Sequence, residues 1–154
     1  MRLVVAVVGK PRDAELRKAI HGYETRAARY WPLEVHEIRE EKSSALTPAG
    51  VTSREGKRIQ AQLPPSIRTV ACHETGQTRT SRQFAGMLQT AREANRSTAF
   101  IIGGAFGLSE EILSAADMRL SLAPWTLSHD LARLVLAEQI YRAGTIVRGE
   151  PYHK

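Results

Sequence analysis

Three glycines mark where chemistry can happen in this chain of 154 residues. Gly103, Gly104 and Gly107 follow Ala99–Ile102, four apolar residues with no alternation, and precede Ser109-Glu110-Glu111. An apolar run of that kind reads as a strand covered on both faces, as in a parallel sheet. Ser109 reads as a helix N-cap, and the two glutamates put negative charge in a first turn, where the helix dipole favours it. Strand, glycine turn and helix in that order place a ligand just beyond the carboxyl end of the strand. Glycines let such a ligand lie against bare backbone. The spacing then narrows the ligand. A dinucleotide fingerprint needs another glycine at the position of Ile102 and an acidic residue about 20 residues on. Leu120 to Ser128 holds no Asp or Glu. A phosphate-cradling loop needs Gly-Lys-Ser/Thr, which the turn lacks. The turn suits a nucleotide-like ligand without a phosphate chain, and S-adenosylmethionine fits that description. The alternative is a plain tight turn packed on a neighbouring strand.

The elements that must position this turn alternate between strand and helix. Leu3–Val8 reads as a first strand, apolar on both faces. Gly9-Lys10-Pro11 reads as its turn, which argues against a leader peptide. Asp13 to Tyr30 reads as a helix whose buried stripe is Leu16, Ala19, Ile20, Tyr23, Ala27 and Tyr30, with His21 beside it. Trp31-Pro32 breaks that helix. Leu33–Ile38 alternates with charges, as an edge strand does. Glu40 to Ser53 reads as a mobile polar surface loop, leading to a short helix that ends near Leu63. Ile67–Cys72 reads as strand three, with His73-Glu74-Thr75-Gly76 as the loop after it. Thr80-Ser81-Arg82-Gln83 fits a capping box, and Phe84, Met87, Leu88 and Ala91 give its helix a core stripe. After the glycine turn come a helix from about Ser109 to Ala116, a strand over Met118–Leu122 and a loop over Ala123–Leu127. Ser128 then caps a last helix, His129–Val147, that is apolar nearly all round. One side of it can pack on the sheet, and the other is expected to meet a second subunit. The pattern is a single α/β domain over residues 1–154 with a mainly parallel sheet.

The net charge is +6, with a pI near 9.9, and the basic excess is spread along the chain. Such a balance points to a polyanionic partner, nucleic acid first among them. No apolar run approaches the ~20 residues of a membrane span. Cys72, the single cysteine, excludes an internal disulfide and suits a reducing cytoplasm. No Cys/His set has metal-ligand spacing, and neither a Ser-His-Asp set nor Gly-x-Ser-x-Gly occurs.

At the level of motifs the chain resembles the ribosomal RNA large subunit methyltransferase H family. The matching pieces are Ile101-Ile102-Gly103-Gly104-x-x-Gly107-Leu108-Ser109, Leu120-Ser121-Leu122, and Thr126-Leu127-Ser128-His129-x-Leu131-x-Arg133. Leu136-x-Glu138-Gln139-Ile140-Tyr141-Arg142-Ala143 and the terminal Arg148-Gly149-Glu150-Pro151-Tyr152-His153-Lys154 complete them, and Val7-x-Gly9-Lys10 fits at the start. The resemblance covers essentially the whole chain. It implies a SPOUT-type α/β methyltransferase whose C-terminal part is threaded into a trefoil knot and which works as a homodimer. Chain patterning alone would never propose a knot, since knots are rare. The implied reaction moves a methyl group from S-adenosylmethionine to N3 of pseudouridine 1915 in 23S ribosomal RNA of the assembled ribosome. A non-catalytic ribosome- or RNA-binding protein with the same fold is the alternative, and a third reading is an α/β enzyme acting on a small nucleotide.

Carried over position by position, the resemblance implies cofactor contacts at Cys72, Gly103, Gly104 and the segment Leu122, Ala123, Pro124, Trp125, Thr126 and Leu127. All three segments follow strands and can converge at one end of the sheet, where backbone groups read nucleoside edges and apolar side chains cover its faces. The chain departs from common family forms at Cys72, at Ala105-Phe106 and at Asp130. N3 of pseudouridine is an imide nitrogen and must lose its proton before it attacks a methyl group. A general base or a cation near the developing anion serves that need. The implied catalytic residues are His153, Arg142 and Tyr152, with the tail closing over the flipped nucleotide. His129, Arg133, Arg148 and Lys154 are the implied RNA contacts. No metal and no membrane is implied.

Overall fold

β1 (Leu3–Val8) shows why an unbroken apolar run needs cover on two sides. Leu3, Val5 and Val7 join one core cluster, with Phe84, Leu88, Phe100, Leu136 and Ile140. Val8 joins a second, with Ile38, Ile59, Ile101 and Ile112, and Val4 a third with Ile67 and Ala99. Successive residues of a strand point to opposite faces, so the run feeds both layers. The computed structural model describes residues 1–42 and 44–153. After β1 come α1 (Ala14–Ala27), β2 (Leu33–Ile38), α2 (Pro48–Gln62), β3 (Arg68–Thr78) and α3 (Ser81–Glu93). β4 (Thr98–Ile102), α4 (Glu110–Ala115), β5 (Met118–Ser121) and α5 (His129–Val147) complete the order.

The five strands form one sheet in the order β2-β1-β4-β3-β5, and every pair is parallel. β4, which ends at the glycine turn, is the middle strand, and all five of its residues are buried. α5 lies between α1 and α3 on one face, while α2 meets α4 on the other. Each large apolar side chain that is fully buried contributes about 1.5–3 kcal/mol. The interior holds many: Phe100, Leu88, Leu136 and Ile140 are at 0% exposure. Trp31 fixes the position of α5, because its indole N–H donates to the Ile140 carbonyl at 3.0 Å while the Arg92 guanidinium covers its ring at 3.9 Å.

Three expectations about element boundaries change. α1 ends at Ala27, before Tyr30, because its last turn tightens: Arg29 and Tyr30 donate to carbonyls three residues back. That tightening turns Trp31 into the core. The stretch read as a mobile loop to Ser53 becomes helix at Pro48. Thr47 caps it by accepting from the Gly50 N–H at 3.1 Å, and proline is well suited to a first helical position. Ser43, in the same stretch, lies outside the described residues. Finally, His73–Gly76 is no separate loop. β3 runs on to Thr78 and pairs with Leu120 of β5 twice, through Cys72 and again through Gln77, so the residues between bulge outward. A side chain at Gly76 would lie 2.6 Å from the backbone of β5.

Candidate functional site

A concavity at the carboxyl end of the sheet holds about 370 Å³, within the size range of small-molecule sites. Its walls come from four places: Cys72–Glu74 of β3, the Ile102–Leu108 turn after β4, Leu122–Leu127 after β5 except Pro124, and His129 and Ala132 at the start of α5. Eight of the nine cofactor contacts expected from sequence therefore face one cavity; Pro124 does not line it. The floor is backbone. Gly107 has a φ of +76°, which only glycine adopts freely, and its N–H donates to the Gly104 carbonyl at 3.0 Å. The turn closes so tightly that a Cβ on Gly103 would sit 2.4 Å from the Gly107 carbonyl. The Ser109 hydroxyl then caps α4 by accepting from the Ile112 N–H at 3.3 Å.

Two of the walls are tied together. The Thr126 hydroxyl donates to the Glu74 carboxylate, joining the segment after β5 to the bulge of β3. Ser121 turns the chain out of β5 by donating to the Ala123 carbonyl at 2.7 Å, and Ser128 caps α5. Burial pushes the Cys72 thiol up to about 12, away from the reactive thiolate form. Phe106 and Trp125 are the exceptions to this apolar cover. They line the cavity yet stand 57% and 76% exposed.

The residues expected to touch RNA divide. His129 stands in the cavity wall with Nε2 3.2 Å from an Asp130 oxygen. Arg133, expected as an RNA contact, is instead an internal brace. It is 6% exposed and donates to Glu24 at 2.7 and 3.2 Å and to Glu37 at 2.8 Å, joining α5 to α1 and β2. Burial opposes its charge, but the two carboxylates outweigh that and raise its pKa. Its spacing on α5 matched the motif; only the fold reveals which way it faces. Arg148 is exposed and lies 4.6 Å over the Tyr30 ring, donating to the Arg29 carbonyl. Lys154 lies outside the described residues.

The tail is held in place by side chains. All four tyrosines of the chain meet there: Tyr141 packs on Tyr23, Tyr30 and Tyr152 with ring centroids 6.1, 5.8 and 4.7 Å apart. Arg26 covers Tyr23, and Arg142 lies 4.7 Å over Tyr152. Glu138 is the common acceptor. Its Oε1 takes Arg142 at 2.6 and 2.9 Å and the Tyr152 hydroxyl at 3.1 Å. His153 Nδ1 lies 3.5 Å from Arg142. The hydrogen bond to Glu138 is the main reason the Arg142 guanidinium is held more firmly charged than usual. Burial, then hydrogen bonds with Tyr23 and Glu138, push the Tyr152 phenol well above its ordinary range, so Tyr152 acts as a neutral donor. His153, Arg142 and Tyr152 therefore come together, but none of them lines the cavity. Arg142 stands 13 residues beyond His129 on α5, which at 1.5 Å per residue is about 20 Å away.

Among the described residues no helix is long and apolar enough to cross a membrane, and no group of three potential metal ligands occurs. A family model described as predicted SPOUT methyltransferase matches residues 1–153. The protein called ribosomal RNA large subunit methyltransferase H of Gemmatimonas aurantiaca is 54% identical over 100% of both chains. Its namesakes in Anaeromyxobacter sp. (strain K) and Geobacter metallireducens are 42% and 40% identical, over 100% and 99% of both chains. A crystal structure of a hypothetical protein has a similar fold, with a TM-score of 0.51 at 15% identity, over 96% of this chain and 81% of the other.

Proposed function

The chain belongs to the SPOUT methyltransferase family, among the ribosomal RNA large subunit methyltransferases H, and from that premise we propose that it methylates N3 of pseudouridine 1915 in 23S ribosomal RNA, using S-adenosylmethionine, in the cytoplasm. The observation that carries this reading is the backbone-floored cavity at the end of β4, where the turn after β4 and the segment after β5 converge on the bulged part of β3. Its size and its glycine floor fit an adenosine without phosphates. S-adenosylmethionine, when bound, supplies a methyl group on a sulfonium. Backbone groups of Gly103, Gly104 and Leu122–Leu127 bind the nucleoside edges, while Cys72, Leu122 and Leu127 cover its faces.

The base arrives with its imide N3 protonated. His153 takes that proton at a ring nitrogen, a step worth about 10²–10⁴-fold. Arg142 faces the developing anion as a fixed cation, and Tyr152 donates a hydrogen bond or stacks on the base. Arg142, with Tyr152 and His153 against it, is about 15 Å along α5 beyond Ala132 of its own cavity wall, so one subunit cannot supply both halves. A homodimer solves this by setting one subunit's tail over its partner's cavity. Exposed Phe106 and Trp125 in the cavity wall support burial there, against the base or a second subunit. In this reading the segment after β5 carries the trefoil threading of the family. Single-stranded RNA loops are read by stacking and edge contacts, and the basic surface adds phosphate attraction that weakens as salt rises.

The test is transfer of a radioactive methyl group to ribosomes that lack the modification. Label at the pseudouridine, absent with free uridine nucleotides, is expected. Ribosome binding without label would favour a non-catalytic binder, and turnover of free nucleotides would favour a small-nucleotide enzyme.

A further inference from the structure

A buried carboxyl group lies directly behind the glycine turn, and the mechanism above makes no use of it. Glu55 of α2 is 3% exposed. Its Oε1 accepts from the Glu41 N–H at 2.9 Å, while Oε2 has no partner. Buried carboxylates are rarely left so. Both oxygens face Gly104: a Cβ there would lie 3.1 Å from Oε2 and 3.3 Å from Oε1. The next residue, Gly56, does the same at the far end of the turn. A Cβ on Gly56 would lie 2.9 Å from the Ser109 hydroxyl and 3.2 Å from Ile112. Two consecutive residues of α2 thus touch the turn where it leaves β4 and where it enters α4. The same Gly104 lines the cavity on its other side.

We propose that Glu55 is a positioning residue of the cofactor cavity: with Gly56 it presses α2 against both ends of the Gly103–Ser109 turn and sets the shape of the floor on which the methyl donor lies. The inference rests on the cofactor reading above. The charged groups facing Glu55 are Glu40 and Glu41, from the chain after β2, and Arg58 on its own helix. Burial, the largest influence, raises the Glu55 pKa, and Glu40 and Glu41 add to it; the Glu41 amide and Arg58 oppose it without reversing the direction. Arg58 is engaged by Glu41 at 2.7 Å. The carboxyl is therefore biased toward its neutral form, and glutamine, which matches that form in shape, can take its place.

The experiment compares the intact protein with Glu55→Gln, Glu55→Ala and Gly56→Ala. Amide hydrogen exchange over Gly104–Ser109 is read in the free proteins, and calorimetry reads binding of S-adenosylmethionine and its neutral product S-adenosylhomocysteine. Expected are faster exchange at the turn, relative to β1 and α5, and about tenfold weaker binding of both nucleosides in Glu55→Ala, equivalent to a loss of about 1.4 kcal/mol. Glu55→Gln should restore both readouts to within about threefold of the parent, a difference under about 0.7 kcal/mol. Gly56→Ala, which pushes α2 off Ser109, should behave as Glu55→Ala does and decides the matter if that variant fails to fold. Unchanged exchange and binding in the alanine variants overturns the proposal. So does a Glu55→Gln variant that loses affinity for the cationic donor alone, since that would make the carboxylate an electrostatic partner. If the parent protein binds neither nucleoside, the cofactor reading falls, and the exchange result alone judges the brace.

Discussion

At its first turn α5 borders a cavity floored by glycine backbone; at its last turn it carries a tail held by four tyrosines and the guanidinium groups around them. The first region is shaped by contacts that cannot yield, such as the Gly103–Gly107 closure. The second is shaped by ring packing and shared acceptors, contacts worth about 0.5–1.5 kcal/mol each. Fixed backbone suits a ligand that is the same at every turnover. Exchangeable side-chain contacts suit a surface that must re-form around a large, shaped partner. Glu138 holds Arg142 and Tyr152 ready while it occupies their donors.

The sharpest way to break this contrast is to damage each end separately. Arg142→Ala should lower methyl transfer to ribosomes by about 10²–10³-fold, the cost of a lost charge stabiliser, and leave S-adenosylmethionine binding in calorimetry intact. Gly103→Ala should act at the other end. It should abolish detectable binding in the same calorimetry and cut transfer by roughly 10²-fold, as a shift of about 1 Å at the reacting centre does. Mixed dimers of these two variants should regain part of the activity that neither has alone; failure to regain any would show that the ends do not meet across subunits. His153→Ala should slow transfer by at least about tenfold at unchanged cofactor affinity, and unchanged turnover would remove it from the chemistry. The smallest effects belong to pH. Asp117 is held below its ordinary range chiefly by the Thr69 N–H and also by the Thr69 hydroxyl. Its contribution is present above its unfolded pKa and is lost as pH falls through the lower folded value. Glu55 has the opposite sign, since its contribution is full below its unfolded pKa and is lost as pH rises through the raised folded one. Denaturant titrations should show that Asp117→Asn flattens the loss of stability on acidification, while Glu55→Gln removes a loss that begins as pH rises above the ordinary glutamate value.

Much of the frame was readable in the residues because strong local signals agreed with tertiary packing. Ser128 and the long apolar stretch after it delimit α5 as His129–Val147, as expected, and the Thr80 capping box opens α3. Reading failed where one residue type serves two purposes. The polar stretch Glu40 to Ser53 read as a loop, yet it contains Pro48, and proline also opens helices. Gly76 suggested a turn, yet here it lets β3 pass within touching distance of β5. In the site, the meeting of the segments after β4 and β5 followed from their trailing parallel strands, a topological regularity, while the third wall is the bulged part of β3 itself. The inward role of Arg133 and the brace at Glu55 depend on which elements become neighbours across more than 40 residues of chain, and nothing local encodes that. The separation of tail from cavity follows from the straightness and length of one helix.

The two tryptophans add a practical consequence. Trp31 is enclosed, with its indole hydrogen-bonded and capped by a guanidinium, whereas Trp125 stands in water at the rim. One fluorophore therefore reports global unfolding and the other local occupancy, within one unlabelled chain. Covering the rim is expected to shift the Trp125 emission to shorter wavelength while that of enclosed Trp31 stays put, so ligand and RNA titrations need no attached dye.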